Sequence, residues 1–209
     1  MNYSPLTYIY KASATPNAPT LLVLHGTGAD ETDLIPLAKE FGEQYNILSL
    51  RGNVSEHGMP RFFKRLGMGI FDEADLTFRT EELVHFVKEL AVKEIFDINK
   101  LIALGYSNGA NIAGSILVLY PDFLQAAILY RPMQPFKQLP DNWKTERKTP
   151  VFASNGKMDN TIDTAGTKKY VAALQKAGFA VTHHEFATGH QLTQQDVATS
   201  IKWLGELYK

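Results

Sequence analysis

The chain is expected to fold as a doubly wound α/β sheet, and three observations predict it. Short runs of β-branched and aliphatic residues alternate with longer amphipathic segments from one end to the other. Several of the short runs are apolar throughout, as strands covered on both faces tend to be, which implies parallel pairing. No internal repeat, low-complexity tract or Ser/Pro-rich linker breaks the alternation. A single domain over residues 1–209 follows, with about seven mostly parallel strands, helices on both faces and too little chain left for a large lid domain.

In order along the chain, the strand candidates "LTYIYKA" and "TLLVLHG" come first, followed by a helical pattern from Asp33 to Gly42 and the apolar run "YNILSLRG". The stretch Arg51 to Asp75 then interrupts the rhythm with four glycines, a proline and several large apolar residues, and reads as an extended loop after a strand. A helix is expected from about Asp75 to Phe96, the strand "NKLIALGYS" next, and a helix from Asn108 to Leu124. "AAILYRP" and "TPVFASNG" are strands, Thr164 to Ala177 a helix, and "VTHHEFATG" the last strand. In the final helix, Gln194 to Tyr208, residues Val197, Ile201, Leu204 and Leu207 keep helical spacing and Thr193 is suited to cap it. In such a sheet ligands bind outside the carboxyl ends of the strands, so the loops after the strands hold the candidates.

Composition narrows the function classes. Lys and Arg total 21 against 22 for Asp and Glu, a net charge of −1, which offers no field to attract nucleic acid or an anionic membrane. The absence of cysteine excludes disulfides, thiolate metal sites and a cysteine nucleophile. The N-terminal stretch has no signal-peptide pattern, and no apolar run approaches the roughly 18 residues of a membrane span. A cytoplasmic protein with no membrane insertion is the expectation.

"GYSNG", residues 105–109, matches GxSxG between an apolar strand and a helix-forming segment, the context in which that pattern carries chemistry. A serine at a sharp strand-to-helix turn has a strained backbone, and glycines two residues to either side avoid collisions with neighbouring elements. The turn leaves the Ser107 hydroxyl at a helix start, where the dipole and free N–H groups favour developing negative charge. The plainer alternative is a helix-capping serine beside two turn glycines.

A serine nucleophile needs a base and a carboxylate to orient it. His190, in "ATGHQLT" between the last strand and last helix, is the best placed of the six histidines to reach Ser107. The loop "SNGKMDNTID" offers Asp159 and Asp163; Asp159 is nearer the strand end and is preferred, with Asp163 a turn or helix-cap carboxylate. The backbone N–H of Asn108, after the nucleophile, supplies one oxyanion donor, and that of Thr27, in the "HGTG" loop after the second strand, a second. His25 is then structural beneath that loop, and the Asn108 side chain has no assigned role. "GTGADE" fails as a dinucleotide fingerprint because Glu31 stands at the third glycine position and the next strand ends without an acid. No phosphate loop or metal-ligand spacing is present, so no cofactor and no metal is expected.

With these residues in hand the chain resembles, over nearly its whole length, the carboxylesterase/phospholipase branch of the α/β-hydrolases, the group that includes acyl-protein thioesterases. The order Ser, Asp, His agrees with that fold. Within the branch it is similar to small bacterial hydrolases associated with hydroquinone and quinone stress, through "LHGTGADETDLIPLA", "LSLRGNVSEHGMPRFF", "GIFDEADL", "GYSNGANIA" and "GHQLT". The resemblance implies Ser107 as nucleophile, Asp159 as acid, His190 as base and Thr27 and Asn108 as oxyanion donors. The family's bacterial members are commonly small and cofactor-independent and often form homodimers, traits that the resemblance implies for this chain. The chain departs from the family in having "TID" where "VP" is common after the acid motif.

The expected function is therefore hydrolysis of small or short-chain carboxylic esters or thioesters through an acyl-enzyme. The alternatives are a lysophospholipase or acyl-protein thioesterase, and a catalytically idle ligand-binding or sensor protein on the same fold. Met59, Phe62, Phe63, Met68 and Phe71 of the irregular loop are candidates for an acyl or aromatic pocket, packing of the loop onto the sheet being the duller reading for each. Arg51, Arg61, Lys64 and Arg65 read as a solvated surface, with attraction of an anionic substrate group as the alternative.

Overall fold

The computed structural model describes residues 3–208. Its centre is a seven-stranded sheet built from β1 (Tyr8–Lys11), β2 (Thr20–Leu24), β3 (Asn46–Leu50), β8 (Leu101–Tyr106), β9 (Ala126–Tyr130), β10 (Pro150–Gly156) and β11 (Ala180–Phe186), in the spatial order β1-β3-β2-β8-β9-β10-β11. All neighbours pair in parallel except β1, which runs antiparallel to β3 at the edge. Five α-helices cover it: α1 (Ile35–Lys39), α2 (Glu73–Lys93), α3 (Asn108–Leu119), α4 (Thr164–Lys176) and α5 (Gln194–Leu207).

The period-two alternation of each strand divides its side chains between two cores. Leu22 and Leu24 of β2, with Leu101 and Ala103 of β8, face α2, α3 and α4, where Leu83, Val87, Ile112, Ile116, Tyr170 and Leu174 pack. Leu21, Val23, Ile102 and Leu104 point the other way, to Ile35 and Ala38 of α1 and Leu204 of α5. This two-sided burial is why the strands read as continuous apolar runs.

The helices differ from expectation mainly at their ends. α3 stops at Leu119 instead of running to Leu124, because the residue before Pro121 is pushed out of helical geometry; Tyr120 has φ −137° and ψ 67°. α2 starts at Glu73, two residues early, with the Asp72 carboxylate accepting from Asp75 N–H at 3.1 Å. It stops at Lys93, and Ile95 lies at a positive φ of 56° that no helix interior tolerates.

The stretch from Arg51 to Asp75 corrects the expectation of a loop. It contains two short hairpins, β4 (Val54–Glu56) with β5 (Met59–Arg61), and β6 (Arg65–Gly67) with β7 (Ile70–Phe71). The first reverses through His57 and Gly58, both at positive φ, as a tight two-residue hairpin turn demands. His-Gly is not the Asn-Gly or Asp-Gly pair by which such turns are read from sequence.

β2 and β8 are adjacent in the sheet, while the chain leaves β2 for β3 on one side and returns to β8 on the other. The crevice beyond their carboxyl ends is the switch point at which an open α/β sheet binds ligands. There Gly109 comes so close to the end of β2 that a Cβ would collide with the Leu24 carbonyl, and a Cβ on Gly105 would lie 2.6 Å from the Gly109 carbonyl oxygen. Gly109→Ala is expected to cost roughly 1–3 kcal/mol through overpacking against backbone that cannot move aside. Urea unfolding followed by circular dichroism measures this; a loss under about 0.5 kcal/mol, the scale of a neutral surface change, would show that the contact is relaxed.

Candidate active site

Ser107 sits between β8 and α3 with φ 52° and ψ −110°, a region costly for any residue with a Cβ. Its conformation is held from both sides: Ser107 N–H donates to Tyr130 O at the end of β9 (2.9 Å), and Ser107 O accepts from Asn111 N–H within the first turn of α3 (2.9 Å). The hydroxyl is thus presented at the carboxyl edge of the sheet.

His190 lies on the loop between β11 and α5. Its Nε2 is 2.9 Å from Ser107 Oγ and its Nδ1 is 2.8 Å from Asp159 Oδ2. With an ionised Asp159 accepting from Nδ1–H, the imidazole presents a lone pair at Nε2 to the serine O–H. The Asp159 side chain is fully enclosed, and its other oxygen accepts from Thr161 N–H (2.8 Å) and Ile162 N–H (3.2 Å). Asp163 is turned elsewhere: it caps α4, accepting from Ala165 N–H at 3.0 Å. Of the two carboxylates that the sequence offers, Asp159 is the one that meets His190.

The loops carrying Asp159 and His190 are sewn together. Met158 N–H donates to Thr188 O (3.0 Å) and Lys157 N–H to Phe186 O (2.8 Å). Gly156 permits the approach, since a Cβ there would run into the Thr188 and Gly189 carbonyls. Tyr106 adds a hydrogen bond from its hydroxyl to His190 O at 3.1 Å.

Behind the histidine loop is a buried ion pair that sequence reasoning missed. Arg131, just past β9, and Asp196, in the first turn of α5, are both 0% exposed and meet in a two-point contact, Nη1–Oδ1 at 2.7 Å and Nη2–Oδ2 at 2.9 Å. Ser154 Oγ of β10 donates to the same carboxylate at 2.7 Å, and Asp196 completes a capping box with Thr193. Arg131 Nη2 also donates to Gln191 O at 2.9 Å, one residue beyond His190. Burial alone would raise the Asp196 pKa, but the hydrogen bonds from Arg131, Ser154 and Thr193 outweigh it and hold the carboxyl below its usual range.

Thr27, Ser107 and Asn108 line one cleft of about 50 Å³, with Met68, Phe71 and Met133 on its walls. Asn108 is the first residue of α3, so its N–H has no partner further back in the helix. The Thr27 hydroxyl accepts from Arg61 Nη1 at 2.6 Å. Beneath the Thr27 loop, His25 is buried, its Nδ1 2.6 Å from Gly26 O and its Nε2 accepting from Gly52 N–H at 3.1 Å. Burial lowers its pKa, in keeping with a neutral ring that donates at one nitrogen and accepts at the other.

Of the five pocket candidates, Met68 and Phe71 line the cleft. Phe62 and Phe63 do not; they are core residues packed with Leu76 and Leu83, because the hairpins fold back over the sheet. Met59 sits 40% exposed against Gly28, outside the cleft. The cationic residues also separate. Arg51 pairs with Glu31 and Lys64 with Asp75, whereas Arg61 is 3% exposed and faces the cleft, which corrects its reading as a solvated side chain. The Asn108 side chain has a role after all: its Oδ1 accepts from Phe62 N–H at 2.8 Å, fastening the hairpin segment to the serine turn. Among the described residues no group of three or more His, Asp or Glu is arranged to hold a metal ion, and no helix is long and apolar enough to cross a membrane.

Comparison with known proteins places this geometry in context. The sequence profile of the Phospholipase/Carboxylesterase family matches residues 9–207. The Bacillus subtilis protein "Putative hydrolase MhqD" is 41% identical over 203 residues, covering 96% of this chain and 98% of that protein. The crystal structure of the Bacillus cereus carboxylesterase superposes with a TM-score of 0.93 at 41% identity, covering 96% of this chain and 94% of that one. The structure of YahD with malic acid superposes at 0.88 and 32% identity, over 96% of this chain and 98% of the other.

The buried pair gives a prediction with a pH signature. Asp196→Asn strands the Arg131 charge in the core and is expected to cost about 3–5 kcal/mol at neutral pH. Because the Asp196 pKa is depressed in the folded protein, its contribution is complete above the unfolded value of about 3.9 and is lost as pH falls through the folded value. The stability gap between parent and variant, measured by urea unfolding, therefore narrows below about pH 4. A gap that is small at pH 7, or unchanged down to about pH 3, contradicts the assignment.

Proposed function

The chain belongs to the phospholipase/carboxylesterase family of α/β-hydrolases, and from that premise we propose that it hydrolyses compact carboxylic esters or thioesters through an acyl-enzyme on Ser107. The observation that carries the reading is the unbroken path of hydrogen bonds from Ser107 Oγ through His190 to Asp159, at 2.9 and 2.8 Å.

In this mechanism Ser107 Oγ attacks the carbonyl carbon while His190 Nε2 takes the hydroxyl proton, and Asp159 stabilises the imidazolium and fixes its tautomer. The carbonyl oxygen, now negative, accepts from the N–H groups of Asn108 and Thr27. His190 returns the proton to the departing alcohol or thiol, leaving the acyl group on Ser107. Water, deprotonated by the same nitrogen, attacks the acyl-enzyme; the acid departs and Ser107 recovers its proton. The place of Ser107 at the head of α3 favours the charged intermediate. The small cleft walled by Met68, Phe71 and Met133 supports short acyl chains over long ones.

Incubation with a fluorophosphonate probe is expected to add one adduct to the parent protein, seen by intact mass, and none to Ser107→Ala. Turnover of p-nitrophenyl acetate and butyrate should fall by about 10³-fold or more in Ser107→Ala. Labelling with no turnover of any short ester would favour an idle binding protein, and no labelling would reject the nucleophile.

The two carboxylates separate cleanly in a second test. Asp159→Asn is expected to lower kcat by roughly 10³–10⁴-fold, since His190 loses its orienting charge. Asp163→Asn removes only a helix cap and should leave kcat within about twofold, with stability changed by about 1 kcal/mol or less. Equal losses of kcat in both would reject the assignment of Asp159.

A further inference from the structure

The wall of the cleft carries a charge arrangement that ester hydrolysis as such does not use. Its charged lining residues are both arginines, Arg61 and Arg65, contributed by the two hairpins. A buried guanidinium demands acceptors, and Arg61 has few. Its Nε donates to Phe63 O at 3.2 Å and its Nη1 to Thr27 Oγ1 at 2.6 Å. The one carboxylate within ion-pair distance of it, among the described residues, is Glu56, at 3.4 Å from Nη1.

Glu56 is shared. Its other oxygen accepts from Arg65 Nε at 2.9 Å, and that hydrogen bond first of all holds its carboxyl below the usual range, so it is anionic at neutral pH. Two guanidiniums therefore face a single carboxylate, leaving an excess positive charge at the cleft. Burial and then the neighbouring Arg65 charge lower the Arg61 pKa, with Glu56 only partly offsetting them. The Nη2 groups of both arginines have no acceptor among the described residues, and neither is sealed from solvent. Asn111 adds a neutral donor to the same lining: its Oδ1 is committed to Met133 N–H at 2.7 Å, while its Nδ2 has no acceptor among the described residues.

We propose that this wall binds a carboxylate carried by the substrate, so that the preferred substrates are compact anionic esters with a free carboxylate close to the scissile carbonyl. The inference rests on the hydrolase reading above and names the substrate class of that same site. The Nη2 left without an acceptor on each guanidinium gives a carboxylate two charged N–H donors, and the low exposure of Arg61 strengthens each hydrogen bond it makes. Glu56 then acts as an internal substitute that partly neutralises the pair when the site is empty.

The test compares anionic esters with their neutral counterparts by pH-stat: monomethyl succinate against dimethyl succinate for a carboxylate on the acyl side, and acetoxyacetate against its methyl ester for one on the alcohol side. In at least one pair, kcat/KM for the carboxylate-bearing ester should exceed the neutral one by about tenfold or more. Arg65→Gln should reduce that ratio by about tenfold, chiefly through KM, and Glu56→Gln should increase it. Raising salt to about 0.5 M should compress it. Arg65→Gln bears the main weight because, among the described residues, the Arg65 guanidinium bonds to Glu56 and Met68 and not to the Thr27 loop, whereas Arg61→Gln also removes a hydrogen bond to Thr27; the rate of fluorophosphonate labelling reports whether the serine site survives in each.

Equal or better use of the neutral ester in both pairs overturns the proposal, as does a preference that outlasts both arginine substitutions. If Ser107 is labelled and neutral esters turn over without anionic preference, the carboxylate inference fails and the hydrolase reading stands. If nothing is labelled or hydrolysed, the hydrolase reading fails and carries this inference with it.

Discussion

The geometry of the site depends on how closely the backbone around Ser107 is pressed against the end of β2. Gly109 rests on the Leu24 carbonyl with no room for a Cβ, and Gly105 faces Gly109 across the turn. This contact sets the distance between the head of α3 and the loop that follows β2, and therefore between the N–H groups of Asn108 and Thr27. It accompanies the positive φ of Ser107, which hydrogen bonds to Tyr130 O and from Asn111 N–H also hold. Sheet order supplies the neighbours, and glycine supplies the proximity.

The opposite half of the site is built by a different device. Asp159 and His190 come from loops after β10 and β11, two strands whose register is fixed over seven residue pairs. Backbone hydrogen bonds from residues 157 and 158 continue that register past the strand ends, and the Arg131–Asp196 pair ties the histidine loop to β9, β10 and α5 together. A buried ion pair is weak evidence of net stability, because desolvation offsets much of its attraction. Its geometric effect is clearer: the two-point contact and the Gln191 hydrogen bond anchor the histidine loop at a defined point.

Much of this was legible in the sequence because the signals are local. The seven strand candidates became the seven strands of the sheet, and the five helices lie where amphipathic spacing puts them, with shifts at their ends such as those decided by Pro121 and by the Asp72 cap. The positions singled out around Ser107 and His190 do come together, since strand-end loops on one edge of a parallel sheet have nowhere else to go. What was not legible depends on pairs distant in the chain. Arg131 and Asp196 are 65 positions apart, and nothing local distinguishes either from a surface charge. The bond from Phe62 N–H to the Asn108 side chain joins residues 46 apart, and the burial of Phe62 and Phe63 follows from a hairpin whose His-Gly turn lacks the usual signature.

The hydrogen bond from Phe62 N–H to the Asn108 side chain has a consequence for how such a protein changes over generations. The residue proposed to steady the oxyanion through its backbone also grips, through its side chain, the segment that forms the wall of the cleft. A mutation that reshapes this wall by displacing the hairpins pulls on the proposed donor as well. With Asn108 in the proposed role, drift toward a new substrate along that route is penalised in turnover before it is rewarded in selectivity. Substitutions at side chains that face the cleft without moving the backbone, Met68 and Phe71 among them, escape that penalty and leave the more open path for divergence.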